Sequence, residues 1–206
     1  MIAIIDYGVG NLFSLKSSFE ILGADIVVTN DENIIKRADK LVLPGVGAFR
    51  DAAEKLRKSG LDKVVIEEAK RGKIMLGICL GMQMLFEKSY EYGEYEGLSL
   101  IKGKVKPIIA PKEYKIPHIG WNKLEFRNSK SPLFKYINEG DYVYFVHSYF
   151  ADECEENQIA VTDYPDYITA AVQNKNVFGT QFHPEKSGDV GLKILKAFIE
   201  LEDKDL

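Results

Sequence analysis

The sequence predicts an α/β fold: a mostly parallel central sheet covered on both faces, with a mixed or antiparallel extension in the second half. Three observations predict it. Short apolar, β-branched runs alternate with helical-period segments from Met1 to Glu87, the pattern of strands buried on both faces by crossover helices. From Leu98 onward, strand-like runs follow one another with turn signals between them. The chain of 206 residues is 46% hydrophobic and 28% charged, enough to bury one sizeable core without a disulfide or metal staple. No repeat, low-complexity segment or linker interrupts it, so residues 1–206 are expected to form one domain.

The elements follow in order. Met1–Asp6 reads as a first buried strand, punctuated by Gly8 and Gly10. Asn11–Leu22 places Leu12, Leu15, Phe19 and Leu22 on one helical face, and Gly23 stops it. Asp25–Thr29 is a second strand and Ala38–Leu43 a third, ended by Pro44-Gly45. Helices are predicted near Gly47–Lys58 and Leu61–Arg71, then an apolar strand over Lys73–Ile78 and a helix over Leu80–Glu87. Strands are predicted over Leu98–Ile109, Ile119–Phe126, Asp141–Phe150, Ile159–Asp163, Thr169–Gln173 and Val177–Gln181. A helix near Val190–Leu201 precedes an acidic tail expected to fray.

Charge and composition exclude several classes. The net charge is −4, which offers no global attraction to nucleic acid or anionic lipid. The start, MIAIIDYGVG, has no basic region before its apolar run and does not read as a signal peptide. The most apolar stretch, Ile74–Phe86, is broken by Gln83 and is shorter than the ~20 residues of a membrane span. Two cysteines, Cys79 and Cys154, do not make a disulfide scaffold, so a cytoplasmic protein is expected. Neither they nor the three histidines show zinc-type spacing; no metal or cofactor is expected.

Gly77-Ile78-Cys79-Leu80-Gly81 carries the most chemistry. It is a thiol version of the nucleophile elbow, placed between an apolar strand and a helix. A nucleophile on so sharp a turn needs small residues two positions to either side. There the helix N-terminus favours thiolate, and the Leu80 N–H can donate to a developing oxyanion. A buried structural cysteine between packing glycines would share the local string, but not the strand before and helix after. A nucleophilic cysteine needs a base. His183, in Gln181-Phe182-His183-Pro184-Glu185, follows an apolar strand; in extended backbone Glu185 would share its face and could orient its ring. His147 sits inside a strand pattern, and His118 has no carboxylate two residues away. Leu43–Ala48 ends the third strand with two glycines, whose backbone could turn N–H groups toward Cys79 at the carboxyl ends of the strands. Gly8-Val9-Gly10 suggests a dinucleotide fingerprint, but Phe13 stands where its third glycine belongs.

Together, Gly77–Gln83 (GICLGMQ), His183-Pro184-Glu185 and Pro44–Gly47 resemble the class I glutamine amidotransferases. The resemblance implies a flavodoxin-like three-layer αβα fold and hydrolysis of the L-glutamine side-chain amide through a Cys thioester, releasing ammonia. Asp6–Asn11 (DYGVGN), Pro44–Phe49, Pro117–Asn122, His147-Ser148-Tyr149 and His183–Ser187 (HPEKS) are similar to one branch of that family. Its members form a heterodimer with a (βα)8-barrel cyclase and pass it ammonia to make imidazole glycerol phosphate and aminoimidazole carboxamide ribotide in histidine biosynthesis. The similarity spans essentially the whole chain. It implies Cys79 as nucleophile, His183 as base and then acid, and Glu185 as its orienter. Val46 and Leu80 would supply oxyanion N–H groups, the former after a peptide rearrangement. Gly47, Gln83, Ser148 and Tyr149 would hold glutamine, and Glu91, among several acids in Glu87–Glu96, its amine. Asn11, His118, Trp121 and Asn122 would face the partner. Ile119 replaces a common Met, a volume-conserving change of little expected consequence. The glycines of the Pro44–Gly47 loop allow two peptide orientations, so the free subunit is expected to be nearly inactive until the ligand-bound partner switches it on. Two alternatives remain: a glutaminase of another pathway, such as pyridoxal phosphate synthase, and a catalytically silent binding module on the same fold.

Overall fold

The computed structural model describes residues 1–206. The first half alternates as the sequence predicts: β1 (Ile2–Ile5), α1 (Leu12–Ile21), β2 (Ile26–Thr29), α2 (Glu32–Arg37), β3 (Lys40–Leu43), α3 (Phe49–Lys58), α4 (Leu61–Lys70), β4 (Ile74–Ile78) and α5 (Leu80–Met84). The second half holds β5 (Lys88–Ser89), β6 (Tyr95–Glu96), β7 (Lys104–Pro107), β8 (His118–Lys123), β9 (Glu125–Phe126), β10 (Tyr142–His147), β11 (Tyr149–Asp152), β12 (Gln158–Asp163), β13 (Tyr167–Asn174), β14 (Val177–Thr180) and α6 (Gly188–Glu200).

The main sheet has eight strands in the order β2-β1-β3-β4-β14-β13-β12-β9. Its first five are parallel and the last three antiparallel. The order 2-1-3-4 at the parallel end is that of flavodoxin-like sheets, which bind ligands beyond the carboxyl ends of their strands. Strands β1, β3, β4 and β14 are almost wholly buried, which explains their predominantly apolar sequences. Helices α1 and α6 pack one face, with Leu15, Phe19, Ile194 and Phe198 fully buried. The other face is covered by α2, α3 and α4 through Ile35, Phe49, Leu56 and Val65. Two small sheets, β10-β8 and β11-β7-β5-β6, complete the second half.

Several boundaries differ from the sequence expectation, each for a tertiary reason. The predicted helix Leu80–Glu87 ends at Met84, because the carbonyls of Met84, Leu85, Phe86 and Glu87 accept from N–H groups of residues 97–101 instead. The predicted strand Leu98–Ile109 shrinks to Lys104–Pro107. The run Ile119–Phe126 divides into β8 and β9, which belong to different sheets. The run Asp141–Phe150 divides at Ser148: His147 pairs with β8, and Tyr149 pairs with β7. Helix α2 has no counterpart in the sequence periodicity; its six residues are set by the Asp31 side chain, which accepts from Asn33 N at 2.7 Å. The acidic tail expected to fray closes as one 3₁₀ turn over Asp203–Asp205.

Candidate active site

The strand-to-helix elbow places Cys79 at the carboxyl end of β4. Its φ of 54° lies in the left-handed region, a conformation costing a non-glycine residue ~1–3 kcal/mol and retained where the surroundings enforce it. The enforcement is visible. Cys79 N donates to Thr180 O at 2.7 Å, tying the elbow to β14. A Cβ at Gly77 would come within 2.8 Å of the Gly81 carbonyl oxygen, and one at Gly81 would run into the Leu43 carbonyl. Both glycines are thus required by close backbone approach. The Pro44–Gly47 loop lies against the same turn: a Cβ at Gly45 would sit 2.6 Å from Gly81 N. Tyr7, buried at the end of β1, donates its hydroxyl to Pro44 O at 2.6 Å and so pins the start of that loop.

A cavity of ≈ 370 Å³ opens above the elbow. Val46, Gly47, Cys79, Leu80, Gln83, Ser148, Tyr149 and His183 all line it, as do Glu91, Pro117 and Lys186. Every residue expected to hold glutamine or an oxyanion therefore meets at one place. The N–H groups of Val46, Gly47 and Leu80 donate to nothing in the protein, leaving them free to donate to a bound group. Gly47 has φ +89°, in the left-handed region that glycine permits. Of the acids between 87 and 96, Glu91 alone lines the cavity. Burial raises its pKa, and the bond it accepts from Phe49 N at 2.6 Å opposes the rise. A second depression of similar size, ≈ 360 Å³, lies near Lys130, Pro132 and Leu201; no cysteine or histidine lines it.

His183 stands beside the sulfur with Nδ1 2.7 Å from Glu185 Oε1, and both side chains are buried. The contact is built differently from the extended pair the sequence suggests: Pro184–Lys186 form a 3₁₀ turn that folds Glu185 back onto the ring. That turn is clamped from two sides. Ser187 Oγ donates to His183 O at 2.7 Å and accepts from Tyr144 N at 2.9 Å, and a Cβ at Gly191 of α6 would strike the Pro184 carbonyl. Burial disfavours the charged imidazole, but hydrogen bonds and attraction from Cys79 and Glu185 outweigh it and hold the His183 pKa near 9. Glu185 Oε2 is buried without a partner.

The other two histidines form a separate pair. His147 Nε2 lies 3.0 Å from His118 Nδ1, and His147 Nδ1 lies 2.8 Å from Tyr149 O. A carbonyl only accepts, so Nδ1 of His147 carries the proton. Burial drives the His147 pKa down to about 3 and also lowers that of His118. The family resemblance implies His118 at a partner interface; in the structure it is fully buried, stacked on Tyr164 at 3.9 Å between ring centroids and held by Asn122 at 2.8 Å. Its aromatic neighbours leave no surface for contact. Asn11 is exposed, Asn122 half-buried and Trp121 52% exposed, so three of the four residues expected at an interface remain accessible. Gln83 also has a structural role. Its Nε2 donates to Tyr149 O and to Gln181 Oε1, both at 2.9 Å, leaving Oε1 for a ligand. Sequence reasoning passes over Gln181 and Tyr7; only their distance from the sulfur and the loop marks them. No group of three His, Cys, Asp or Glu side chains is placed to hold a metal ion, and no helix is long and apolar enough to cross a membrane.

A buried thiol, an imidazole held charged by that sulfur and a carboxylate, and free N–H groups around one cavity define a site for thiol-mediated acyl transfer on a flavodoxin-like sheet. The chain belongs to the class I glutamine amidotransferase family, whose sequence pattern, "Glutamine amidotransferase class-I", matches residues 3–201. Within the family it is similar to proteins that share one name, "Imidazole glycerol phosphate synthase subunit HisH". That of Oceanobacillus iheyensis is 50% identical over 202 residues, 98% of this chain and 99% of that one. The Aquifex aeolicus protein is 48% identical over 203 residues, 98% and 97% of the two chains. Among solved structures, PurLQS from Thermotoga maritima superposes with a TM-score of 0.73 at 22% identity over 96% of each chain. A structure described as a glutamine amidotransferase gives 0.73 at 17% identity, covering 96% of this chain and 99% of that one. These two likenesses show the shared fold.

Proposed function

We propose that this chain is the glutaminase subunit of an imidazole glycerol phosphate synthase. It hydrolyses L-glutamine to glutamate and ammonia and passes the ammonia to a (βα)8-barrel cyclase in histidine biosynthesis. Full-length similarity to proteins named as a subunit of that synthase supports the partnership. The single observation that carries the chemistry is the meeting of Cys79, His183–Glu185 and three undirected N–H groups in one cavity. The chain works as one domain in the cytoplasm, in keeping with two buried, unpaired cysteines.

The proposed steps are these. Glutamine lies in the cavity with its amine on Glu91 and its chain against Gly47, Gln83, Ser148 and Tyr149. The Cys79 thiolate attacks the side-chain carboxamide carbon, and the negative charge moves to the oxygen, where Leu80 N–H and Val46 N–H donate. The His183 imidazolium gives its proton to the departing nitrogen, and ammonia leaves a thioester on Cys79. His183, now neutral, takes a proton from water as that water attacks the thioester; glutamate leaves and the thiolate returns. Glu185 keeps the ring oriented and stabilises its charged form. Asn11, Trp121 and Asn122 meet the cyclase.

Covalent labelling tests this reading. A glutamine-analogue electrophile is expected to modify Cys79 once per chain, and Cys79→Ala is expected to abolish both labelling and turnover while keeping the partner complex. Absence of labelling in the intact complex would favour a silent module. Glutaminase rates that are the same with and without the cyclase would remove the idea of partner switching through the Pro44–Gly47 loop.

A further inference from the structure

Gln181 directly follows β14, two residues before His183, and its side chain is fully buried against the sulfur. Its Nε2 lies 3.7 Å from Cys79 Sγ. A string of contacts fixes which end of the amide is which. The Tyr149 carbonyl can only accept, so the Gln83 atom 2.9 Å away is the nitrogen. That nitrogen is also 2.9 Å from the far end of Gln181, which is therefore the oxygen. Gln181 is left presenting its NH₂ group to Cys79. The backbone holds the arrangement: Gln181 N donates to Ala170 O at 2.8 Å, and Cys79 N donates to the preceding residue, Thr180 O, at 2.7 Å. Sulfur is a weak acceptor as a thiol and a strong one as a thiolate, so a donor fixed on it favours the charged form.

We infer that Gln181 is a positioning residue for the nucleophile: its amide, oriented through Gln83 by the Tyr149 carbonyl, donates to the Cys79 sulfur and holds the thiolate in place. The inference rests on Cys79 being the nucleophile. It also gives Gln83 a second role, since the residue that touches the ligand cavity is the one that turns Gln181 toward the sulfur.

Two variants test it in the complex with the cyclase. Gln181→Met keeps the length and loses the donor. Gln181→Glu is nearly isosteric, keeps an acceptor for Gln83 and sets an acid against the thiolate. The readouts are kcat and KM for glutamine and the pH dependence of Cys79 alkylation by iodoacetamide, with Cys79→Ala as the blank. Gln181→Met is expected to move the alkylation midpoint upward by about one pH unit, the effect of one lost charge-assisted hydrogen bond, and Gln181→Glu by at least as much, because its acid adds like charge. In both, kcat is expected to fall about tenfold or more while KM stays within about threefold. A merely structural role would lower thermal stability without moving the midpoint. Unchanged midpoint and kcat in folded variants would overturn the inference; if Gln181→Met does not fold, Gln181→Glu decides alone. Wild-type protein that neither hydrolyses glutamine nor alkylates at Cys79 would instead overturn the glutaminase reading.

Discussion

Two histidine sites border the same cavity and differ in the sign of their response to burial. His183 and His147 are both buried, 2% and 6% exposed. His183 faces a thiol and a carboxylate and is held charged with a pKa near 9; His147 faces a carbonyl and a second imidazole and is pushed down by burial to about 3. Burial alone would have neutralised both. The charge of the partners decides which ring can give and take a proton near neutral pH and which can only position a neighbour, here the Tyr149 backbone.

Removing the reactive corner has the largest expected effect. Cys79→Ala and His183→Asn should each lower glutamine turnover by about 10⁴-fold or more, whereas His147→Asn should act mainly on KM through Tyr149. In steady-state kinetics of the three variants, a kcat for His147→Asn as low as that of His183→Asn would erase the contrast.

Glu185→Gln comes next. It keeps the hydrogen bond geometry and removes the charge, so turnover should fall ~10²–10⁴-fold. The upper pH limit of the residual activity should move down from about 9 toward the ordinary histidine value of 6.5. In the wild type, turnover should decline above about pH 9 as the imidazolium that protonates the leaving nitrogen is lost.

Stability should show the same opposition. The raised His183 pKa contributes stability that is complete below pH 6.5 and lost as pH rises through about 9. The lowered His147 pKa works the other way: between 6.5 and 3 the unfolded chain takes up a proton that the folded chain refuses, so stability falls as pH falls. At pH 4 that difference is on the order of 3 kcal/mol. Thermal unfolding at pH 7 and pH 4 should therefore show a smaller acid-induced drop in Tm for His147→Asn than for the wild type.

The smallest effect on the isolated chain is expected at Trp121. Trp121→Ala removes a 52% exposed indole that meets Tyr144 edge-on at 5.9 Å, so Tm should change little. Affinity for the cyclase should fall about 30-fold, as for a central aromatic contact, measured by titration of the two subunits.

The contrast between the two histidines is half legible in the sequence. The strand–Cys–helix string with Gly77 and Gly81, and the His183-Pro184-Glu185 spacing, point to the reactive corner because elbow sterics and nearest-neighbour geometry are local. The parallel half of the fold is legible for the same reason: β1, β3 and β4 are continuous apolar runs. Burial of His118 is not local. It depends on Tyr164 and Phe145, which come from distant segments, and an alternating strand pattern places a histidine without saying which side is covered. The break at Ser148, which carries the chain from one small sheet to another, likewise leaves no mark in a run of β-forming residues. Gln181 reads as the last residue of a strand until the sulfur is seen beside it.

Product formation decides whether the reactive corner feeds a partner. The chain would be coexpressed with a candidate cyclase and supplied with the cyclase's ribotide substrate. A one-to-one complex should form, and imidazole glycerol phosphate should appear with L-glutamine as the nitrogen source, one glutamate per product. With Cys79→Ala it should fail to appear unless an ammonium salt is added. A stable wild-type complex that makes product from ammonium salt but leaves glutamine untouched would refute the glutaminase assignment.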